Sequence, residues 1–106
     1  MFDDMVTLPE EYSRHFDRGG KVDGALTVAP GYFQLWRPSE ISKWNENYEV
    51  EEYAPGFLGF GSSGGGEMFA FDDRHQVFMI PFIGMDPEEA ILVARSWGEF
   101  VNLMEK

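Results

Sequence analysis

The chain of 106 residues contains no cysteine, which excludes a disulfide framework, a thiolate metal site and a cysteine nucleophile. Basic residues are scarce as well: eight Lys and Arg stand against nineteen Asp and Glu, for a net charge of −11. Phosphate backbones and anionic lipid are held by clusters of Lys and Arg, so neither nucleic acid nor a membrane surface is expected as a direct ligand. No apolar run approaches the roughly 18 residues that span a bilayer. The opening residues, Met1-Phe2-Asp3-Asp4, are acidic where a signal peptide is basic. The expectation is a soluble, cytoplasmic protein.

What the chain has in quantity is apolar and aromatic side chains. Forty-three per cent of the residues are hydrophobic, with ten Phe, four Tyr and three Trp, which is ample for a packed interior and excludes the disordered class. The length suits one domain, spanning residues 1–106. The acidity is spread along it: eleven acids and five bases precede Ala54, and eight acids and three bases follow. A body negative all over gains solubility, and it meets a positively charged partner faster than a neutral body would.

Leu8-Pro9-Glu10-Glu11-Tyr12 predicts a helix start, with Pro in the first turn and two Glu at the positive end of the dipole. Leu8, Tyr12 and Phe16 recur every four residues, and Gly19-Gly20 supplies the stop, so the helix runs from about Pro9 to Arg18. Gly31 to Trp36 reads as the first strand, and Pro38 or Ser39 opens a helix through Tyr48 with Ile41, Trp44 and Tyr48 on its buried face. From Glu49, where acids alternate with Val50 and Tyr53, the pattern is that of sheet. Strands are expected at Phe57–Phe60, Glu67–Phe71 and Gln76–Ile80, the last two joined as a hairpin through Asp72-Asp73-Arg74-His75. Val77 to Ile83 is apolar on both faces, which predicts the central strand. Asp86-Pro87-Glu88-Glu89 is a turn or capped helix start, and Ile91–Ala94 fits either a last strand or a helical turn. Ser96-Trp97-Gly98-Glu99 then has the spacing of a capping box and opens a final helix buried through Phe100, Val101, Leu103 and Met104.

Gly59-Phe60-Gly61-Ser62-Ser63-Gly64 spells the dinucleotide fingerprint. That fingerprint works only between a strand and a helix whose N-terminus holds the pyrophosphate, and here a strand pattern follows. The expected role is a wide turn or bulge that needs glycine, leaving a side-chain-free loop which another backbone can approach. Asp72, Asp73 and His75 fall in a hairpin turn where Asp serves the backbone, so no metal is expected there, and no cofactor elsewhere. His15, inside the first helix, is read as a packed or capping residue. The carboxylate pairs Glu10-Glu11, Glu51-Glu52 and Glu88-Glu89 sit on single elements and do not flank a substrate. No acid, base and orienting group converge, so no enzyme is expected.

Taken in order, several pieces resemble one family. They are Leu8-Pro9-x-x-Tyr12-x-x-x-Phe16 with Gly19-Gly20, the run from Gly61 to Glu67, the strand Met68-Phe69-Ala70-Phe71-Asp72, and Ser96-Trp97-Gly98-Glu99-Phe100. Together they resemble the SUKH superfamily, which unites bacterial immunity proteins with a fungal regulator of cell-wall synthesis. Two positions depart from its pattern: Arg18 precedes Gly19 where the family has Asn, and Trp97 follows Ser96 where the family has Phe. The resemblance implies an α+β domain, with a bent, mostly antiparallel sheet of about four to six strands and helices from the N- and C-terminal parts packed on it. It also implies binding rather than turnover, since many bacterial members look to be antitoxins of polymorphic or contact-dependent toxins, often nucleases.

The function expected from charge and resemblance together is that of a non-catalytic immunity protein that covers a basic toxin domain. A regulatory scaffold of cell-wall or signalling machinery is the alternative, and a small-ligand-binding enzyme a third. The candidate partner-binding residues are Glu46, Glu49, Glu51, Glu52, Glu67, Asp72 and Asp73 for charge, with Ser62, Ser63, Gly64, Gly65 and Gly66 as the loop that permits close approach.

Overall fold

The computed structural model describes residues 6–105; the acidic start at Met1 to Asp4 lies outside them. Helix α1 (Glu10–Asp17) opens behind Pro9 with Glu10 and Glu11 in its first turn, and Gly19 ends it at φ 72°, where glycine avoids the steric cost of the left-handed region. His15 caps the following turn, donating from Nε2 to the Lys21 carbonyl at 2.6 Å. Strands β1 (Asp23–Ala25) and β2 (Tyr32–Leu35) form the first hairpin. Beyond β2 a 3-10 turn over Pro38–Glu40 leads into α2 (Ile41–Asn47) and α3 (Val50–Tyr53). Then come β3 (Leu58–Ser62), β4 (Glu67–Phe71), β5 (Val77–Pro81), β6 (Ile91–Ala94) and α4 (Trp97–Asn102).

The six strands form one antiparallel sheet in the order β1-β2-β3-β4-β5-β6. The α+β fold expected from the sequence is therefore the one observed. Two register shifts bend it, at Phe60 between β3 and β4 and at Val93 between β5 and β6, since each inserts a residue with no opposite number. Alternation along β4 sends Phe69 and Phe71 to one face and Met68 and Ala70 to the other. The first face packs under α1 and α4, where Tyr12, Phe60, Phe71, Trp97 and Phe100 meet edge-on or stacked at 4.3 to 6.2 Å. The second face packs under α3 through Val50 and Ala54. No helix of the described residues is long and apolar enough to cross a membrane.

Three local expectations are corrected. Val50–Tyr53 is a helix, not the start of the sheet: Glu49 adopts the left-handed conformation (φ 54°), which breaks α2 and turns the chain so that Val50 and Ala54, four residues apart, both reach the core. Strand β1 was not anticipated because Asp23-Gly24-Ala25 has no hydrophobic pattern; pairing with β2 alone makes it extended. The third concerns β5, which lies next to the β6 edge while β3 and β4 hold the centre. Apolar residues on both faces of β5 report the layers above and below it, not its rank in the sheet. The ambiguous Ile91–Ala94 is a strand, Asp86 caps a 3-10 turn over Pro87–Glu89, and Ser96 caps α4 by accepting the Glu99 N–H at 3.0 Å. Glu99 in return accepts from Arg95 at 2.8 Å, one residue earlier than the usual reciprocal bond.

Tyr12 is wholly buried, and its hydroxyl donates to the Trp36 carbonyl at 2.6 Å with the Phe60 carbonyl at 3.0 Å. Burial pushes its phenol well above the ordinary value, so the folded state holds it neutral. Stability from this group is complete below the unfolded phenol's pKa of about 10 and is lost as pH rises beyond it. Tyr12→Phe leaves the Trp36 carbonyl without its donor and should cost about 1–3 kcal/mol at neutral pH. Urea melts of the variant should also show a shallower loss of stability above pH 10; an unchanged alkaline limb would remove Tyr12 from this role.

Candidate functional site

The hairpin between β3 and β4 is closed by its own side chains. Ser63 N–H donates to the Glu67 carbonyl at 2.9 Å. The Ser63 hydroxyl accepts from Gly65 at 3.1 Å and Glu67 at 3.2 Å and donates to the Glu67 carboxylate at 2.9 Å. Ser62 Oγ accepts the Gly64 N–H at 2.9 Å. Gly66 in turn accepts from the Phe82 N–H at 2.8 Å, which pins the loop to the end of β5. Gly64 sits at φ 79°, and a Cβ there would come 2.9 Å from the Tyr32 ring. The fingerprint glycines thus serve shape. Gly61 lies so close to β2 that a Cβ would stand 2.5 Å from the Gln34 carbonyl oxygen. Because Ser62 and Ser63 take up the amides of Gly64, Gly65 and Glu67, those N–H groups do not cradle a phosphate.

The backbone of β3 is tied to helix α2 by one side chain, Asn45. Asn45 accepts the Gly59 N–H and donates to the Gly59 carbonyl, both at 2.8 Å, and reaches the Ile41 carbonyl at 2.8 Å. It pairs with the stretch of β3 that β2 has already left, as a further strand residue would. This places Trp44 and Tyr48, one helical turn apart, over Trp36. The three rings stack at 5.6 to 6.0 Å with interplanar angles of 13 to 29°. Tyr48 continues onto Phe82 at 4.7 Å, the residue whose amide binds Gly66. An aromatic ladder therefore runs from the end of β2 to the glycine hairpin. Only Ile41 of the expected buried face is buried; Trp44 is half-buried and Tyr48 is 38% exposed. The four-residue spacing of Trp44 and Tyr48 was visible in the sequence, but their part in a surface ladder was not, because Trp36 and Phe82 join it from distant strands.

Glu46 and Glu49, both exposed, flank Tyr48 at this end, and Glu51 and Glu52 project from the next turn. Tyr32 at 39% and Ile83 at 94% exposure complete an apolar rim. Between Arg37 and Tyr53 five acids accompany two bases, so the helical segment beside this rim carries net negative charge. The predicted cluster is not brought together whole. Asp72 and Asp73 lie at the far end of β4, roughly 15 Å of strand from the glycine hairpin. There Asp72 Oδ1 accepts from Arg74 at 3.0 Å and Gln76 at 2.8 Å, a backbone role. Glu67 is committed to Ser63. Among the described residues, the only ion pair is Glu10 with Arg14 at 3.1 Å, and no group of three or more His, Asp or Glu gathers as for a metal.

Chemically the arrangement offers π faces beside carboxylates on a rigid frame. Rings of this kind attract Arg and Lys within about 6 Å of their centroids. Asn45→Ala should cost roughly 1–3 kcal/mol by stranding both Gly59 backbone groups. The release of α2 should also shift tryptophan emission to the red, measured alongside chemical denaturation; a variant as stable as the parent would show that α2 is held by other contacts.

A family model described as SMI1 / KNR4 family (SUKH-1) matches residues 5–103. The comparison with curated proteins finds no match.

Proposed function

This chain belongs to the SMI1/KNR4 family (SUKH-1), and from that premise we propose that it is a non-catalytic immunity-type protein that neutralises a basic toxin domain by covering it. The observation that carries the reading is the acid-flanked ladder of Trp36, Trp44, Tyr48 and Phe82 beside a hairpin whose tip, Gly64 to Gly66, has no side chains. Trp and Tyr are the residues on which binding energy concentrates at interfaces, and half-buried rings around the exposed Tyr48, on a body of charge −11, suit a surface of Arg and Lys. In this reading the negative field sets the speed and orientation of encounter, and the ladder holds the complex once formed. Glu46, Glu49, Glu51 and Glu52, with the hairpin tip Gly64 to Gly66 as the point of close approach, form the contact surface; Ser63 is buried beneath it. Asp73 contributes to the general field from the far end.

The test is a search of the neighbouring genes for a basic toxin domain, co-expression with any such domain found there, and binding of the purified pair. Cells should survive, and affinity should fall steeply as salt rises. Tyr48→Ala should weaken the complex by about ten- to a hundredfold, chiefly by faster dissociation, and Glu46→Lys with Glu49→Lys should slow association. Survival without any complex, or affinity indifferent to salt and to Tyr48, would falsify the reading and favour a regulatory scaffold.

A further inference from the structure

The aromatic ladder is wider than a single file of rings. In a column of three, the end rings would stand twice one step apart. Trp36 and Tyr48 are 6.0 Å apart, close to the separations of Trp36 from Trp44 at 5.6 Å and of Trp44 from Tyr48 at 5.9 Å. The three centroids therefore form a triangle, with Trp44 and Tyr48 side by side against Trp36 and only 22° apart in plane. Tyr48 is the exposed member, and Trp36 and Trp44 are half-buried. The result is a flat apolar patch two rings wide.

Carboxylates are set along this patch by the helix itself. Glu40, the N-cap of α2, stands four residues ahead of Trp44 and extends the stripe of Trp44 and Tyr48. Glu49, at the left-handed break, follows Tyr48 directly. Both acids are exposed. The two bases of the segment are placed elsewhere: Arg37 lines a notch with Phe16, Val22 and Leu35, and Lys43 shares its helix stripe with Asn47 instead of Trp44. A lysine ammonium answers such a surface by charge alone. A guanidinium also answers its shape, because it is planar, stacks on aromatic faces and keeps five N–H donors in its plane, where carboxylates at the border can accept them. We propose, building on the reading of this surface as the contact for a basic partner, that the ladder selects arginine over lysine and receives an arginine-bearing segment of that partner on Trp44 and Tyr48.

Blocked hexa-arginine and hexa-lysine peptides carry equal charge, so a difference between them reports the rings and not the field. Titrated into the full chain by calorimetry, the arginine peptide should bind roughly three- to tenfold more tightly than the lysine peptide. It should also perturb tryptophan emission more strongly. Tyr48→Leu, at an exposed position, should remove most of the preference, whereas Tyr48→Phe, which keeps the ring, should retain it. Tyr53→Leu, which removes an exposed tyrosine outside the ladder, should leave it unchanged. Equal affinity for the two peptides, or a preference for arginine that survives Tyr48→Leu, would overturn the selection of arginine while leaving the covering of a basic toxin domain by charge intact. A preference that follows the Tyr48 ring would support it even if the neighbouring genes encode no toxin domain, so the two readings fail separately.

Discussion

Helices α1 and α2 are both tied to one junction, where β2 peels away from the bulge in β3. The Trp36 N–H donates to the Phe60 carbonyl at 2.8 Å, the last bond between the two strands. Tyr12 of α1 brings its buried hydroxyl to the Trp36 and Phe60 carbonyls. Asn45 of α2 takes both backbone groups of Gly59. A strand end normally exposes unpaired amides and carbonyls, which are costly when buried. Here each helix supplies one polar side chain that meets that need, and the position of both helices follows from it. The bulge aims Phe60 into the core beneath α1 and α4, while Trp36, packed against both core clusters, starts the ladder.

That junction explains how a small acidic domain keeps a rigid surface. Nineteen acids with one ion pair among the described residues give a body whose charges repel one another, and the charge contributes little to cohesion. Cohesion comes from the aromatic core and from side chains spent on the backbone: Tyr12, Asn45, Ser63, Asp72, Asp86 and Ser96 each bind main-chain groups. The remaining carboxylates at the ladder, those of Glu46, Glu49, Glu51 and Glu52, are exposed. They are at liberty to act on whatever approaches.

Legibility from sequence tracked the range of the forces involved. Helix α1, the hairpin of β4 and β5, and the Ser96 cap were readable because glycine stops, Asp turns and capping spacing act within a few residues. Helix α3 was misread because Glu49-Val50-Glu51-Glu52-Tyr53 fits either period, and the choice is made by contacts of Val50 and Ala54 with Met68, Ile80 and Met85 far along the chain. The glycine run was located correctly as a loop between strands. Its hydroxyl locks are not written in the spelling, since adjacent Ser62 and Ser63 differ only in the amides they meet once the hairpin has closed. The acids were grouped by sign alone, and the sheet sends Asp72 and Asp73 to the opposite end from Glu46 and Glu49.

The glycine hairpin shows why composition misleads without hydrogen-bond accounting. A loop of this spelling binds phosphate when its amides are free and point outward. In this chain Ser62 and Ser63 consume the amides of Gly64, Gly65 and Glu67 from within, and the neighbouring carboxylates repel anions. What the loop presents outward is an absence of side chains on a frame that cannot flex without breaking those bonds. Such a frame loses little entropy on contact, so a loop that would be an anion site with free amides becomes, with two serines turned inward, a preorganised platform beside the carboxylates and the aromatic ladder.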